Sequence, residues 1–163
     1  MFAVSDTSPI SNLAIIGRLD LARTRFEKIW IPASVEAELD RLPHPVARAA
    51  VQDALRLGWI VPRPIPDNAT IRLLAAVLDR GEAEAIALAV EMSADWILLD
   101  ETDGPNAASR AGLRVTGVLG ILLRAKQRGE IALLKPEMEA LRTRARFFIA
   151  TRLENEVLRM AGE

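Results

Sequence analysis

The chain of 163 residues has no cysteine, no tyrosine and a single histidine, and aromatic residues make up only 4% of it. The missing thiols exclude disulfide scaffolds, thiolate metal centres and cysteine nucleophiles together. The lone His44 sits between Pro43 and Pro45, a loop context, so histidine-cluster metal sites and serine-histidine triads have almost no material. Any metal must be held by oxygen. Long apolar stretches are missing too: runs such as Ala85 to Val90 fall far short of the roughly 20 residues needed to cross a bilayer. The opening Met1-Phe2-Ala3-Val4-Ser5-Asp6 lacks a basic region and carries an acid where a signal peptide is apolar. A cytoplasmic protein without membrane attachment is expected. Neither a Gly-x-Gly-x-x-Gly nor a Walker loop occurs, which leaves dinucleotide and nucleoside-triphosphate binding without support.

What is present suits one globular core: half the residues are apolar and 26% are charged, close to the average for soluble domains. The expected organisation is a single domain over 1–163, with an α/β core to about residue 130 and a C-terminal helical appendage over about 131–163. The net charge of −1 conceals an asymmetry, since residues 1–109 hold 10 basic and 16 acidic groups while 110–163 hold 11 basic and 6 acidic. Ordinary solvated faces can produce such a split, as can a cation site beside a polyanion surface.

Short runs rich in β-branched and aromatic residues alternate with helical patterns, the signature of βαβ units and a parallel sheet covered on both faces. Strands are predicted at Phe2 to Ser5, Lys28 to Ile31, Trp59 to Val61, Trp96 to Leu99 and Arg114 to Thr116. A first helix is predicted with Ser8 as its cap, Pro9 at its first position and Gly17 beyond its end. Further helices are predicted over Ala33 to Leu42, Val46 to Leu57, Ala69 to Asp79, Glu82 to Met92 and Val118 to Arg128, with two more after Pro136 that join near Phe147 to Thr151. The fold class is therefore α/β, with about five parallel strands.

Carboxylates are the candidates for chemistry. Asp6 and Asp100 stand at the carboxyl ends of the first and fourth predicted strands, the edge where parallel sheets bind ligands. Either could instead merely end a strand and cap a helix. Glu82 opens the helix before the fourth strand; eleven helical residues rise about 16 Å and five strand residues return about the same distance. Glu82 and Asp100 should thus return to one edge. Glu84 lies about 200° around the helix from Glu82, and Glu82 is expected to face inward. Acids in a first helical turn also occur for the macrodipole alone. Glu38 lies along the apolar stripe of Val35, Leu39 and Leu42, where a carboxylate must be paired, hydrogen-bonded, metal-bound or able to reach water. Together Asp6, Glu38, Glu82 and Asp100 would form an oxygen-only cluster suited to Mg²⁺ or Mn²⁺, an ion that activates water for phosphodiester hydrolysis.

The segments Val4-Ser5-Asp6-Thr7-Ser8-Pro9-Ile10, Ile31-Pro32 with Glu38-Leu39, Gly81 to Ala89, Leu98-Leu99-Asp100-Glu101, and Val115 to Leu122 resemble, in order and spacing, a PIN domain. The closing Ala161-Gly162-Glu163 fits as well. The resemblance is to an uncharacterised branch often encoded near small antitoxin-like proteins, and it covers essentially the whole chain. It implies a flavodoxin-like three-layer α/β/α sandwich and a quartet of acids that binds one or two divalent metals for hydrolysis of RNA. Asp6, Glu38, Glu82 and Asp100 are the expected catalytic acids; Asp6, Asp100, Glu82 and Asp103 are the expected metal ligands. Thr7, Ser8, Glu84 and Glu101 are supporting positions, and Asp100, Glu101 and Asp103 compete for the last place. Expected partners are an RNA substrate, a small antitoxin protein and a second copy of the chain in a homodimer. One departure stands out: Pro105 and Asn106 occupy a stretch where that branch usually has an arginine. The alternative is therefore a PIN-like binding module without turnover. A phosphoacceptor signalling domain would want a lysine after the fifth strand, and Arg114-Val115-Thr116-Gly117 has none.

Arg124, Lys126, Arg128, Arg142, Arg144 and Arg146 could contact phosphates, the dominant source of nucleic-acid affinity, although such residues more often form a solvated helix face. Phe147-Phe148 suits a subunit or core contact better than base stacking, because aromatic residues are too scarce for a platform. Gly117 to Gly120 matches a Gly-x-x-Gly loop only superficially, since it follows a strand and opens a helix.

Overall fold

The computed structural model describes residues 1–100 and 103–163. Five short apolar runs form one sheet: β1 (Phe2–Ser5), β2 (Lys28–Ile31), β3 (Ile60–Pro62), β4 (Trp96–Leu98) and β5 (Val115–Thr116). Their order is β3-β2-β1-β4-β5, and every pairing is parallel. Parallel neighbours need crossovers that cover the sheet on both faces. The helices are α1 (Thr7–Ile15), α2 (Leu19–Arg25), α3 (Ala33–Asp40), α4 (Pro45–Arg56), α5 (Ala69–Leu74), α6 (Arg80–Glu91), α7 (Asp103–Arg110), α8 (Val118–Gln127), α9 (Lys135–Arg144) and α10 (Thr151–Ala161). The result is the expected three-layer α/β/α sandwich with helices appended at its C-terminal end.

Alternation along the strands divides the core. Ala3, Ile29, Ile31 and Leu98 pack with Leu13 of α1, Val51 of α4 and Ile121 of α8. Val4, Ile97 and Leu99 face the other way, onto Ile86 and Leu88 of α6 and Ala108 of α7. Met138, Leu141, Ile149 and Val157 bring the C-terminal helices into the first of these clusters. The α6 segment is buried from Gly81 through Ala89, as its all-round apolar pattern predicts.

Several expectations need correction. Ser8 does not cap α1: the N-cap position is Asp6, in extended backbone, and Ser8 instead offers its carbonyl oxygen to the Ser11 hydroxyl at 3.1 Å. The helix predicted to Asp79 stops at Leu74, leaving Leu73 and Val77 76% and 73% exposed, because Asp79 belongs to the start of α6. Two helices were not anticipated, α2 and α7. Gly17, at φ +73°, turns the chain out of α1, and the seven residues of α2 are too few to show a period.

The chain leaves β1 toward β2 on one side and has β4 on its other side, so the order of connections reverses between β1 and β4. That reversal opens a crevice at the carboxyl ends of the two strands. Asp6 follows β1 directly, and its backbone N–H donates to Leu98 O of β4 at 3.1 Å.

Candidate metal centre

Asp6 is held where β1 ends and α1 begins, with 7% of its surface exposed. The N-terminus of α6 arrives beside it. That terminus is a capping box, in which Asp79 Oδ1 accepts from the Glu82 backbone N–H at 2.8 Å and Glu82 Oε2 accepts from the Asp79 N–H at 3.3 Å. The reciprocal bonds satisfy two N–H groups that the first turn leaves without helical partners, and they fix both carboxylates in place. Oxygens of Asp6, Asp79 and Glu82 consequently lie within 4.8 Å of one another.

That spacing suits one divalent ion, whose oxygen ligands stand about 2.0–2.6 Å from its centre. Three carboxylates this close repel one another. Burial pushes the Asp6 carboxyl from 3.8 up to about 7; a hydrogen bond from the Thr7 backbone N–H opposes the rise, and the charges of Asp79, Glu82 and Glu38 add to it. A shift of this size is what burial beside like charges produces, and a bound cation would reverse it by favouring the ionised form. The donor set, oxygen only and partly buried, fits Mg²⁺ or Mn²⁺.

Gly81 shows how closely the acids crowd. A Cβ there would stand 2.9 Å from Asp6 Oδ1, 3.4 Å from Asp79 Oδ1 and 3.5 Å from Glu38 Oε1. Glu38 therefore reaches the cluster, and it does so from the edge of the stripe, the alternative in which it meets water: α3 buries Val35 and Leu39, while Glu38 is exposed. Its other oxygen accepts from the Thr7 hydroxyl at 2.6 Å. A long side chain at the rim can lean over the crevice while its backbone stays in solvent.

Asp100 comes to the same edge yet stands outside the trio. Its Oδ1 accepts from the Val118 N–H at 2.7 Å and its Oδ2 accepts from Asn12 Nδ2 at 3.1 Å, so it ties β4 to the start of α8 and to α1. Gly104, near the start of α7, passes close to Glu82, whose Oε1 would be 2.8 Å from a Cβ at that position. The side chain of Asp103, and Glu101 as a whole, lie outside the described residues.

Glu84 does not join the cluster. It is 5% exposed: α6 buries both acids, about 200° apart, and of the two it is Glu82 that faces Asp6. Glu84 accepts from the Ser34 hydroxyl and pairs with Arg80 Nε at 2.7 Å, which links α6 to α3. The sequence reasoning missed Asp79 and Asn12. Asp79-Arg80-Gly81-Glu82 carries the acid-x-x-Glu spacing of a capping box, a signal sufficient to place the helix start at Asp79. Asn12 is a polar residue on the otherwise apolar face of α1 and had no comparable signature.

Among the cationic candidates, Arg142 is paired with Glu154 and Glu139, and Lys126 lies 3.6 Å from Glu163. Phe147 is half-buried, whereas Phe148 is 86% exposed.

Comparison with known proteins agrees with this geometry. Residues 2–163 match the family described as PIN domain. No curated protein matches. Among solved structures, the fold is similar to a PilT N-terminus domain protein from the hyperthermophilic archaeon Sulfolobus solfataricus, at 20% identity and a TM-score of 0.54, over 77% of this chain and 93% of that one. The family match runs over nearly the whole chain and meets a parallel sheet with acids at its point of reversal: the chain belongs to the PIN domain family.

Proposed function

We propose that this protein is a divalent-metal-dependent endoribonuclease. The observation that carries the reading is the convergence of Asp6, Asp79 and Glu82 oxygens within 4.8 Å, at the sheet edge where an α/β fold presents its ligand site. In this reading those three residues hold Mg²⁺ or Mn²⁺. When bound, the ion supplies positive charge to the phosphate and makes water more acidic. Asp6 must then lose its proton, which its neighbours otherwise favour keeping. Glu38, exposed and held by Thr7, takes a proton from the water whose oxygen attacks phosphorus; the P–O bond to the leaving ribose oxygen breaks, and that oxygen takes up a proton from solvent. Asp100, which accepts from the Val118 N–H and from Asn12, holds the start of α8 and α1 to the end of β4 at the same sheet edge.

The proposal extends to an intracellular role as the toxin of a toxin-antitoxin pair, neutralised by a small antitoxin protein, and to a homodimer. Self-association is supported by exposed Phe148, which stands beside Leu153 and Val157 in one groove. No described helix is long and apolar enough to cross a membrane.

The test is cleavage of a fluorescent single-stranded RNA by purified protein during a manganese titration. Asp6→Asn and Asp79→Asn should each lower the rate by more than the 10–100-fold that outer partners of a metal site usually cost. Expression without the antitoxin should arrest growth for the wild type and spare it for Asp6→Asn. Metal-independent cleavage, or full activity in either variant, refutes the assignment. RNA binding without turnover would instead favour the module lacking catalysis, the alternative raised by Pro105 and Asn106.

A further inference from the structure

The edge of the sheet opposite the acids gathers cations. Trp96 opens β4, and the guanidinium carbons of Arg25 and Arg114 each lie over its ring, 4.8 Å from the centre. Arg124 and Arg128, from the last turn and C-cap of α8, line the same cavity of about 400 Å³. No described residue that lines it is acidic.

Most of the donor capacity there is unspent. Arg25 donates to Gly120 O at 3.5 Å, Arg114 to Asp95 O at 3.1 Å, and Arg128 pairs with Glu130 at 3.1 Å. Each guanidinium carries five N–H donors, so the greater share faces the cavity or solvent. Attraction to the Trp96 ring accounts for Arg25 and Arg114. It does not account for Arg124 or Arg128, whose charges, after burial, lower the proton affinity of half-buried Arg25. Like charges drawn around one cavity repel, and an anion relieves that repulsion. Several planar forks match the three or more oxygens of a phosphate better than the two of a carboxylate.

We infer that this cavity binds a phosphate ester, carried either by a free nucleotide or by a nucleic-acid backbone. It stands apart from the metal centre, since Trp96 pairs with Ala3 and Asp6 lies three residues beyond Ala3, about 10 Å along a strand.

The test uses isotopically labelled full-length protein, stripped of metal by chelating resin, titrated with inorganic phosphate, uridine monophosphate and a ten-nucleotide oligouridylate. The reporter is the Trp96 indole N–H resonance, assigned with Trp96→Phe; that N–H has no hydrogen-bond partner among the described residues. The Trp96 signal should move, and Arg124→Gln with Arg128→Gln, both exposed positions, should weaken binding at least 10-fold while the Trp30 and Trp59 signals stay in place. A response to the monophosphate as well as the oligomer supports a site open to free nucleotides, and a response to the oligomer alone supports the backbone as source. A Trp96 signal unmoved by every ligand at millimolar concentration, or binding undiminished in the double variant, overturns the proposal. Because no metal is present, this result is independent of whether the protein cleaves RNA.

Discussion

The Asp6 carboxyl makes a pH-dependent contribution to the stability of the metal-free protein. Asp6 holds its proton to about pH 7 in the folded state and, by its ordinary value, to 3.8 when unfolded. Between those values the native chain binds more protons than the unfolded one, so this group's contribution falls as pH rises from about 4 to 7 and then levels. In chelator, the thermal midpoint of the wild type should drop on going from pH 5 to pH 8 relative to that of Asp6→Asn, by roughly 2–4 °C for each kcal/mol involved. Parallel pH profiles for the two proteins would contradict the assigned cause. Asp6 and Asp100 were legible because acids directly after apolar runs mark strand ends. Glu38 was legible as a candidate, and of its two readings, buried on the stripe or reaching water from its edge, the exposed one holds; the stripe alone could not decide, since it gives a side chain's starting direction and not where a long flexible one ends.

Helix α6 carries the site in its first turn and the core in the rest. Its N-terminus puts Gly81 among three acids, where alanine would favour the helix by about 1 kcal/mol through backbone propensity. The added methyl would meet Asp6 Oδ1 at 2.9 Å, a contact that the side chain relieves only by rotating away. Gly81→Ala should therefore leave the thermal midpoint in chelator unchanged or raised while weakening Mn²⁺ binding by roughly 10-fold or more, a loss comparable to that of an outer metal partner. Calorimetric titration of both proteins measures this, and undiminished Mn²⁺ affinity would show that the cluster tolerates the displacement. The α6 body was legible from its apolar sequence. Its true start was obscured by Leu73 to Leu78, an apolar continuation that imitates more helix although Leu73 and Val77 are exposed. The α7 segment was hidden for a different reason: Gly104-Pro105 resembles a loop, although proline fits the first turn of a helix.

On the scale of the molecule, the parallel α/β plan followed from alternating element types, and the strand order did not, because pairing across the sheet depends on which faces are apolar after all helices have docked. The proposed homodimer is also a property at this scale. Static light scattering should give twice the chain mass, and Phe148→Ser, at a position 86% exposed, should shift it toward the monomer without lowering the thermal midpoint by more than about 0.5 kcal/mol equivalent. A wild-type mass equal to one chain would remove the dimer. The sheet itself has two electrical poles, acids beyond one end of β4 and arginines at the other. Their separation of about 10 Å along the strands runs through the packed sheet and not through water, and Asp6 and Glu82 are buried, so salt screens the coupling between the poles less than it would for two exposed charges. Filling one pole with a cation therefore alters the field at the other, and the dipole that the molecule presents depends on metal occupancy.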